Sequence, residues 1–169
     1  MAAPDRPIAL VGFMASGKST IGRGLAAKLG LSFTDADWEV EQRFGLSIPE
    51  IFERLGEAEF RHAERETILR LLSGAPQVIS LGGGACQDDV TRNALANRAT
   101  TVWLDPPFDV ILARLSRTSR RPLAEGRSPA ELHRLWEERR EGYSIADLHV
   151  ATSDHEPSVA VNRIAKMLG

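Results

Sequence analysis

Short apolar runs alternate with segments of helical periodicity along the whole chain. The apolar runs have the length of buried strands and occupy residues 8–11, 31–34, 77–81, 101–104 and 148–151. Segments with apolar residues three and four positions apart lie between and after them, at 20–29, 37–44, 57–72, 88–96, 107–116, 129–141 and 157–168. This alternation predicts an α/β fold in which helices cover both faces of a parallel sheet and ligands bind at the carboxyl ends of the strands.

Several of the predicted helices carry recognisable end signals. Ser47 and Ser128 each precede a glutamate by three residues, with a proline in between, which is the capping box of a helix that begins there. Ser47 therefore predicts a further short helix. Gly30 and Gly45 follow the first two helical segments and predict their ends.

The junction between the first apolar run and the first helical segment is rich in glycine. Residues 12–19 read G-F-M-A-S-G-K-S and match the pattern G-x-x-x-x-G-K-[ST] without a mismatch. Strand, glycine loop and helix in this order form a cradle for a triphosphate, because the loop N–H groups and the positive end of the helix dipole converge on the anion. Lys18 would reach the β- and γ-phosphates and the Ser19 hydroxyl would bind Mg²⁺. We expect the Lys18 side chain to be solvated when no nucleotide is bound. A glycine turn that contains Lys-Ser by chance is the alternative, and the regular flanks disfavour it.

Composition and charge narrow the class of protein. The 169 residues suit one domain with a real core, and the formal net charge of −2 argues against broad electrostatic binding of nucleic acid or anionic lipid. The single cysteine, Cys86, excludes a disulfide framework within the chain and fits a reducing cytosol. We find neither the apolar segment of a signal peptide nor a run of membrane-spanning length. We therefore expect a cytoplasmic protein without a nucleic-acid or membrane partner.

Two carboxylates follow the second apolar run. Asp35 and Asp37 are separated by one residue, and in an extended segment this spacing points both side chains to the same side. Two neighbouring anions are costly unless a cation or a hydroxyl ligand engages them. Asp is also favoured as a helix N-cap, and either residue could cap the helix that follows. The spacing alone leaves open which of the two is structural and which is functional.

Three further segments carry candidate chemistry. Arg61 and Glu64 are three residues apart on a predicted helix, and such a pair on an exposed face, the default interpretation, is worth only about 0.2–0.5 kcal/mol. The glycine triplet 82–84 directly follows the third apolar run, where it would let a ligand approach the main chain. Residues 117–127 are rich in arginine and poor in apolar anchors, which indicates either a mobile lid over a transferring phosphoryl group or an ordinary exposed loop. Cys86 and the four histidines show no metal-ligand spacing, and we interpret them as incidental.

Taken together, these segments resemble the shikimate kinase family. The matching motifs are G-F-M-A-S-G-K-S-T-I-G in the glycine loop, D-A-D at 35–37, G-E-A-E-F-R at 56–61, S-L-G-G-G-A at 80–85, R-R-P-L at 120–123, and Arg139 followed by Tyr143 and Ala146-Asp147 in a slightly altered register. The likeness spans nearly the whole chain in the family's order and is far more specific than the glycine loop alone. It implies a nucleoside-monophosphate-kinase-like P-loop fold of three layers with a five-stranded parallel sheet. It also implies a single domain with a substrate-binding region at about 35–64 and a mobile lid at about 117–127.

The resemblance implies transfer of the γ-phosphate of ATP, with Mg²⁺ as cofactor, to the 3-hydroxyl of shikimate, on the route to chorismate and the aromatic amino acids. The implied catalytic residues are Lys18, Asp37 and Arg121, with Arg121 supplied by the lid. Shikimate would contact Asp37 through its hydroxyls, the backbone N–H of Gly83, and the side chains or backbone of Phe52, Phe60, Arg61, Gly82, Gly84 and Arg139. ATP would contact Ala15, Ser16, Gly17, Lys18, Ser19, Thr20, Arg121 and His155. The metal would be held by Ser19 and, through a water molecule, by Asp35.

The implied clamp changes the interpretation of one helix. If Arg61 and Arg139 both bind the shikimate carboxylate, each supplies charge-assisted hydrogen bonds of about 1.5–3 kcal/mol. That exceeds the value of a surface pair, so substrate binding explains Arg61 better and Glu64 becomes its positioning partner.

The sequence departs from the family pattern at three places. Ala15 stands where the family usually has glycine. The pair Glu141-Gly142 replaces a Pro-Leu pair before the tyrosine, and we expect it to loosen the turn after Arg139. His155 stands where the family tends to carry Arg or Gln near the adenine. Of the roles implied by the resemblance, the adenine contact therefore has the weakest residue match.

Two other interpretations remain to be separated from this one. Gluconate kinase shares the cradle and the small-substrate layout, but it gives no reason for the arginine pair together with Asp37 and the glycine triplet. A regulatory ATP or GTP switch without an acceptor is the other, and the chain lacks the guanine-reading pattern N-K-x-D. Generic rules would also assign Mg²⁺ to Asp105 at the end of the fourth strand, whereas the resemblance favours Asp35. We expect a monomer that binds only small molecules.

Overall fold

The computed structural model of the chain describes residues 4–117, 126–153 and 156–169. Its strands are β1 Ile8–Val11, β2 Phe33–Asp35, β3 Val78–Ser80, β4 Thr100–Asp105 and β5 Leu148–Ala151. Its helices are α1 Lys18–Leu29, α2 Ala36–Phe44, α3 Ile48–Leu55, α4 Glu57–Leu72, α5 Asp89–Arg98, α6 Phe108–Leu115, α7 Pro129–Tyr143 and α8 Pro157–Leu168, and a 3-10 helix covers Ala85–Gln87. Most of the predicted lid, including Arg121, and also His155 lie outside the described residues. Within those residues, no helix is both long and apolar enough to cross a membrane.

The strands form one parallel sheet. Across the described ranges, five strands lie in the order β2-β3-β1-β4-β5, and every pairing between neighbours is parallel. β1 is therefore central, between β3 and β4. Because parallel strands end at the same edge, the segments that follow all of these strands converge there. The predicted α/β fold with a five-stranded parallel sheet is confirmed.

Alternate residues of β1 enter different cores. Ile8 and Leu10 are buried with residues of α1 and α8, whereas Ala9 and Val11 join a second cluster that includes residues of α4, α5, α6 and α7. Successive side chains of a strand point to opposite faces, so one central strand nucleates both cores. The result is the three-layer arrangement that the resemblance implies.

A separate small core supports the region after β2. Val40 of α2, Ile51 of α3, and Phe60 and Ala63 of α4 are buried together. Phe52 packs against this cluster with its ring 5.0 Å from that of Phe60. These contacts hold α2, α3 and the first turns of α4 against one another at the edge where the strands end.

Helix and strand ends agree best with the sequence where a cap marks them. Both predicted capping boxes form, one at Ser47 and one at Ser128. The second strand is shifted, since β2 begins at Phe33 and includes Asp35, which then caps α2. The sequence marks the ends of this short strand poorly, because its apolar run merges with the polar segment that follows it.

The segment around Gly142 does not form the loosened turn that the sequence predicted. α7 continues to Tyr143, and Gly142 lies buried in its last turn. A Cβ on Gly142 would lie 2.9 Å from the carbonyl oxygen of Cys86, so glycine allows α7 to pack directly on the 3-10 helix. The prediction was wrong because Gly142 does not interrupt the helix. Its lack of a side chain instead lets α7 and the 3-10 helix pack closely together.

The core under α1 provides a test of this packing. Leu25 is fully buried, and Leu25→Ala should lower the free energy of unfolding by about 2–5 kcal/mol because it leaves a cavity. Leu55, 46% exposed, gives the matched control: Leu55→Ala should lower the free energy by less than about 1 kcal/mol. Urea denaturation followed by circular dichroism measures both. Equal losses in the two variants would contradict the assignment of α1 to the core.

Candidate active site

A cavity of about 1240 Å³ lies at the carboxyl edge of the sheet. It runs from the surroundings of Asp37 and Arg139, past the glycine loop, to the segment after β5. Most of the residues proposed from sequence line it: Ala15, Ser16, Gly17, Lys18, Ser19, Thr20, Asp35, Asp37, Phe52, Phe60, Arg61, Gly82, Gly83, Gly84 and Arg139. The other two, Arg121 and His155, lie outside the described residues. The topology thus brings together side chains that are up to 124 positions apart, from Ala15 to Arg139.

The glycine loop is shaped by close backbone approach. Gly12 has φ +149°, and a Cβ there would lie 2.6 Å from the carbonyl oxygen of Leu104 on the neighbouring strand. Gly17 has φ +94° and precedes the first turn of α1. Both positions therefore require glycine, one for space and conformation together and the other for conformation.

Lys18 is buried, not solvated as predicted. Its side chain is 8% exposed, and its Nζ donates hydrogen bonds of 2.8 Å to the carbonyl oxygens of Gly12 and Phe13. The loop curls around its own lysine, and these carbonyls satisfy the ammonium group. The sequence motif names the lysine but not this internal arrangement, so the expectation of a solvated side chain was wrong.

Ala15 adopts a conformation that favours glycine. Its φ of +60° makes it the single non-glycine residue with positive φ among the described residues, at a cost of about 1–2 kcal/mol. The carbonyl oxygen of Ala15 accepts a 2.9 Å hydrogen bond from Arg114 of α6. A hydrogen bond from α6 thus supports the strained turn of the loop.

Asp35 is the aspartate that caps the helix, and it also contacts the glycine loop. Its side chain caps α2 by accepting hydrogen bonds from the backbone N–H groups of Asp37 and Trp38, and it also accepts a 2.9 Å hydrogen bond from the Ser19 hydroxyl. The expectation that both aspartates lie on one extended segment was wrong, because the strand ends at Asp35 and Asp37 lies in the first turn of α2. The cap nevertheless points both residues toward the cavity.

Asp37 and Glu64 place two carboxylates in a poorly solvated corner of the cavity. Burial raises the pKa of Asp37 to about 7, with further contributions from the negative charges of Glu64 and Asp35. Glu64 is 3% exposed, and burial raises its pKa although Arg61 opposes the shift. Arg61 donates a 2.9 Å hydrogen bond to Glu64 Oε1. The default interpretation of this pair as an exposed helix face was therefore wrong, because α4 turns this face toward the site.

The glycine triplet makes room for side chains of the protein itself. A Cβ on Gly82 would lie 2.7 Å from both Asp37 Oδ1 and Glu64 Oε2. One on Gly84 would lie 2.6 Å from Arg61 Nη2, and one on Gly83 would lie 3.1 Å from the backbone nitrogen of Met14 in the glycine loop. None of the three has a φ in the left-handed region, so space and not backbone conformation requires glycine here.

α7 supplies the opposite wall. Arg139 is 6% exposed, and its guanidinium carbon lies 5.9 Å from the centre of the Phe13 ring. Burial lowers the pKa of this guanidinium, while Tyr143 one turn later opposes the shift. The Tyr143 hydroxyl donates a hydrogen bond to the carbonyl oxygen of Gly83. One helix turn thus contacts both the cavity and the glycine triplet.

Polar atoms without partners are concentrated in the cavity. In the described part of the chain, the buried side-chain polar atoms that lack a hydrogen-bond partner are Asp37 Oδ1, Glu64 Oε2, Arg139 Nη1 and Thr152 Oγ1. All four residues line the cavity. Because a buried polar group without a partner costs about 1–3 kcal/mol, such a concentration is typical of a site that is completed by a ligand.

Comparison with known proteins decides the family. The family model described as shikimate kinase matches residues 14–169. The chain belongs to the shikimate kinase family. Shikimate kinase of Bradyrhizobium diazoefficiens is 49% identical over 150 residues, which are 88% of this chain and 72% of the relative. Shikimate kinase from Acinetobacter baumannii, solved in complex with shikimate, superposes with a TM-score of 0.94 at 34% identity, over 98% of this chain and 94% of that one.

Family membership makes the chain an ATP-dependent kinase that acts on shikimate. A gluconokinase from Sinorhizobium meliloti is also similar, with a TM-score of 0.55 at 19% identity over 99% of this chain and 97% of that one. A likeness at this identity concerns the fold alone. The family match thus separates shikimate kinase from the gluconate kinase alternative, which shares the layout.

Asp105 does not lie where the generic metal rule would need it. Its carboxylate accepts two hydrogen bonds from Arg140 and one from His149, and within the described residues it does not line the cavity. Ser19 and Asp35, in contrast, lie together on the cavity wall. Hydroxyl and carboxylate oxygens are ligands that suit Mg²⁺, which is usually held by one or two carboxylates and the substrate phosphates. The described residues contain no group of three or more His, Cys, Asp or Glu side chains arranged for a metal. Binding of Mg²⁺ through one or two carboxylates and substrate phosphates does not require such a group.

At the end of the cavity beyond the glycine loop, the sequence interpretation named His155 and no other contact residue. Arg114, Thr152, Pro157, Val159 and Arg163 line it there, beyond the glycine loop. Thr152 directly follows β5, so the rule that ligands bind where parallel strands end could have found it. Arg114 carried no such signal, because its place on the cavity wall depends on how α6 packs beside the loop.

The crowding around the triplet yields a test that needs no substrate. Gly82→Ala should lower the free energy of unfolding by about 1–3 kcal/mol, because its Cβ would displace two buried carboxylates. Gly74→Ala is the matched control, since a Cβ there meets nothing closer than 3.5 Å. Thermal and urea unfolding of both variants measure the difference. If Gly82→Ala is as stable as Gly74→Ala, the carboxylates are not packed on the triplet as described.

Proposed function

We propose that this chain transfers the γ-phosphate of ATP to the 3-hydroxyl of shikimate, giving shikimate 3-phosphate and ADP, with the roles assigned below to its own residues. The observation that carries the proposal is the set of buried partnerless atoms of Asp37, Glu64 and Arg139 beside a phosphate-binding loop. Carboxylate oxygens suit hydroxyl donors and a guanidinium suits a carboxylate. Shikimate offers both groups, and the proposal agrees with the family of the chain.

The acceptor end binds shikimate by opposite charges. Arg61 and Arg139 hold its carboxylate from two sides, and Glu64 keeps Arg61 in place through the 2.9 Å hydrogen bond. Asp37 accepts a hydrogen bond from the reacting hydroxyl and aims it at the phosphorus. Phe52 and Phe60 wall the ring, and backbone N–H groups of the triplet, that of Gly83 first, complete the site.

The phosphate end stabilises charge. Lys18 exchanges its bonds to Gly12 and Phe13 for oxygens of the β- and γ-phosphates, and the loop from Ala15 to Thr20 supplies N–H groups. Phosphoryl transfer depends mainly on positioning and on stabilising charge that spreads over the phosphate oxygens. Arg121, in the predicted lid, would close over the transferring group, and His155 would lie near the adenine; both are outside the described residues.

Ser19 and Asp35 are the residues that would hold Mg²⁺, Asp35 through a water molecule. Bound together with ATP, the ion would supply positive charge that neutralises the charge developing on the phosphate oxygens. The hydrogen bond between these two side chains keeps the hydroxyl beside the carboxylate at the mouth of the phosphate loop.

The proposal extends to the organisation of the protein. The chain would work as one domain, a monomer in the cytoplasm, with residues about 35–64 binding the acceptor and about 117–127 forming a mobile lid. Its near-neutral charge of −2 supports small-molecule substrates in preference to nucleic acid or membrane partners.

The choice of acceptor is tested by coupled measurement of ADP release with shikimate, with gluconate and with no acceptor. We expect release that depends on shikimate and on Mg²⁺, with at most background rates in the other two reactions. A rate that is equal without an acceptor would instead favour the regulatory switch, and a rate that depends on gluconate would favour the sugar kinase.

Substitution of Asp37 and of Asp35 should affect different ligands, shikimate in the first case and Mg²⁺ in the second. Asp37→Asn keeps the shape but removes the negative acceptor, so kcat should fall and KM for shikimate should rise while KM for ATP stays within about twofold. Asp35→Asn should raise the Mg²⁺ concentration needed for half-maximal rate while sparing shikimate affinity. Titrations with Mg²⁺ at saturating shikimate, and the reverse, measure both.

Asp105→Asn is the control for the metal readout alone, because Asp105 lies in a different cluster from Ser19 and Asp35. A metal defect in Asp105→Asn alone would restore the generic strand-four assignment. A metal defect in Asp37→Asn together with a shikimate defect in Asp35→Asn would mean that the two roles are exchanged.

A further inference from the structure

A second charged cluster lies beside the cavity and takes no part in the roles proposed above. Arg140 of α7 donates hydrogen bonds of 2.7 and 3.0 Å to the two carboxylate oxygens of Asp105, at the end of β4. His149 of β5 lies 2.8 Å from the same carboxylate through Nε2. The Arg140 guanidinium carbon also lies 4.8 Å from the ring centre of Trp103 and 4.6 Å from that of Trp136.

The geometry of this cluster restricts how Arg140 can move. A two-bond fork between a guanidinium and a carboxylate fixes direction as well as distance. The indoles of Trp103 and Trp136 both lie within cation–π range of the guanidinium. His149 stacks on Trp103 at 4.0 Å, with 8° between the rings, and so braces the sheet side of the cluster. Burial would raise the pKa of Asp105, but the hydrogen bonds from Arg140 and His149 bring it below its ordinary value.

The cluster sits next in sequence to the proposed clamp. Arg139 and Arg140 are neighbours on α7 and project about 100° apart around the helix axis. Arg139 faces the cavity, where its Nη1 has no hydrogen-bond partner among the described residues. The rotation of α7 about its axis therefore has a large part in setting where this guanidinium lies, and the neighbouring fork to Asp105 resists that rotation.

The fork lies far along α7 from the capped start of the helix. α7 begins at Pro129, after the Ser128 cap. Arg140 lies near the other end, one residue from the clamp and three from Tyr143, which is bonded to Gly83.

We infer that Arg140, held by Asp105 between Trp103 and Trp136, is a positioning residue that fixes the rotation of α7 and so aims Arg139 at the acceptor carboxylate. The inference rests on the proposed function, in which Arg139 binds that carboxylate. Arg140 itself does not touch the substrate. Its loss should weaken shikimate binding through Arg139 and leave the nucleotide end of the cavity unaffected.

The test uses the whole chain and steady-state kinetics for both substrates. Arg140→Met retains an unbranched stem between the indoles and removes the fork, and we expect KM for shikimate to rise about tenfold. KM for ATP and kcat should stay within about twofold of the parent values. Arg140→Lys retains the charge but not the fork, and should restore part of the loss. Arg134→Ala removes an exposed arginine of the same helix as a matched control and should change none of these constants by more than about twofold.

A double-mutant cycle separates positioning from general damage. If Arg140 acts through Arg139, adding Arg140→Met to Arg139→Ala should raise KM for shikimate by less than about twofold further. Should Arg140→Met fail to fold, His149→Phe gives a milder change that keeps a ring on Trp103 and removes one hydrogen bond to Asp105, with an expected rise of about threefold.

Three results would overturn the inference: an unchanged KM for shikimate in Arg140→Met, equal increases in KM for both substrates, or full additivity with Arg139→Ala. The parent enzyme and Arg134→Ala separate these from a failure of the proposed function. If neither releases ADP in response to shikimate, the proposed function fails and the inference fails with it; if both do, the outcome concerns Arg140 alone.

Discussion

The candidate site depends on the close approach of charged side chains to the three glycines after β3. Each glycine admits a different neighbour: Gly82 the carboxylates of Asp37 and Glu64, Gly83 the phosphate loop, and Gly84 the guanidinium of Arg61. A single Cβ at the first or the third position would intrude on a functional group at less than a normal contact distance. The carboxylates of Asp37 and Glu64, the guanidinium of Arg61 and the glycine loop can therefore lie close together only because this segment has no side chains.

That proximity has an energetic cost which the rest of the fold must offset. Burying carboxylates without partners destabilises the protein, and the site contains two such oxygens together with a partnerless guanidinium nitrogen. Rigid support on each side keeps them in place: the capped start of α2, the small core under α3 and α4, and the sheet itself. Because these elements are packed independently of the ligand, the charges are held in position before a substrate arrives. A bound ligand can then form the hydrogen bonds that the buried polar atoms lack.

α7 connects the parts of this arrangement that are distant in sequence. Its last turn carries Arg139 into the cavity, Gly142 against the 3-10 helix and the Tyr143 hydroxyl to Gly83. Arg140 joins the same turn to the ends of β4 and β5 through Asp105 and His149. These contacts restrain α7 relative to the sheet and therefore restrain Arg139, which α7 carries. This restraint is the physical basis for assigning Arg140 a positioning role.

Much of this protein could be predicted from sequence because its signals are local. Alternating apolar runs predict the parallel sheet, capping boxes mark the starts of α3 and α7, and the glycine loop and family motifs name the residues that line the cavity. Each of these depends on neighbours within a few positions, where spacing translates directly into geometry. The order of the strands follows less directly, because periodicity marks five apolar runs but does not say which of them are neighbours in the sheet.

Only the tertiary structure decided which partner each polar group has. Glu64 is buried and not on an exposed face, Lys18 is bonded to its own loop, Asp35 serves as cap and as partner of Ser19, and Gly142 packs a helix instead of loosening a turn. Asp105, which local rules would assign to a metal, accepts hydrogen bonds from Arg140, 35 residues away. Hydrogen bonds and close contacts between separate elements depend on how helices and strands rotate and pack against each other, and a linear pattern of residue types contains no direct measure of that rotation.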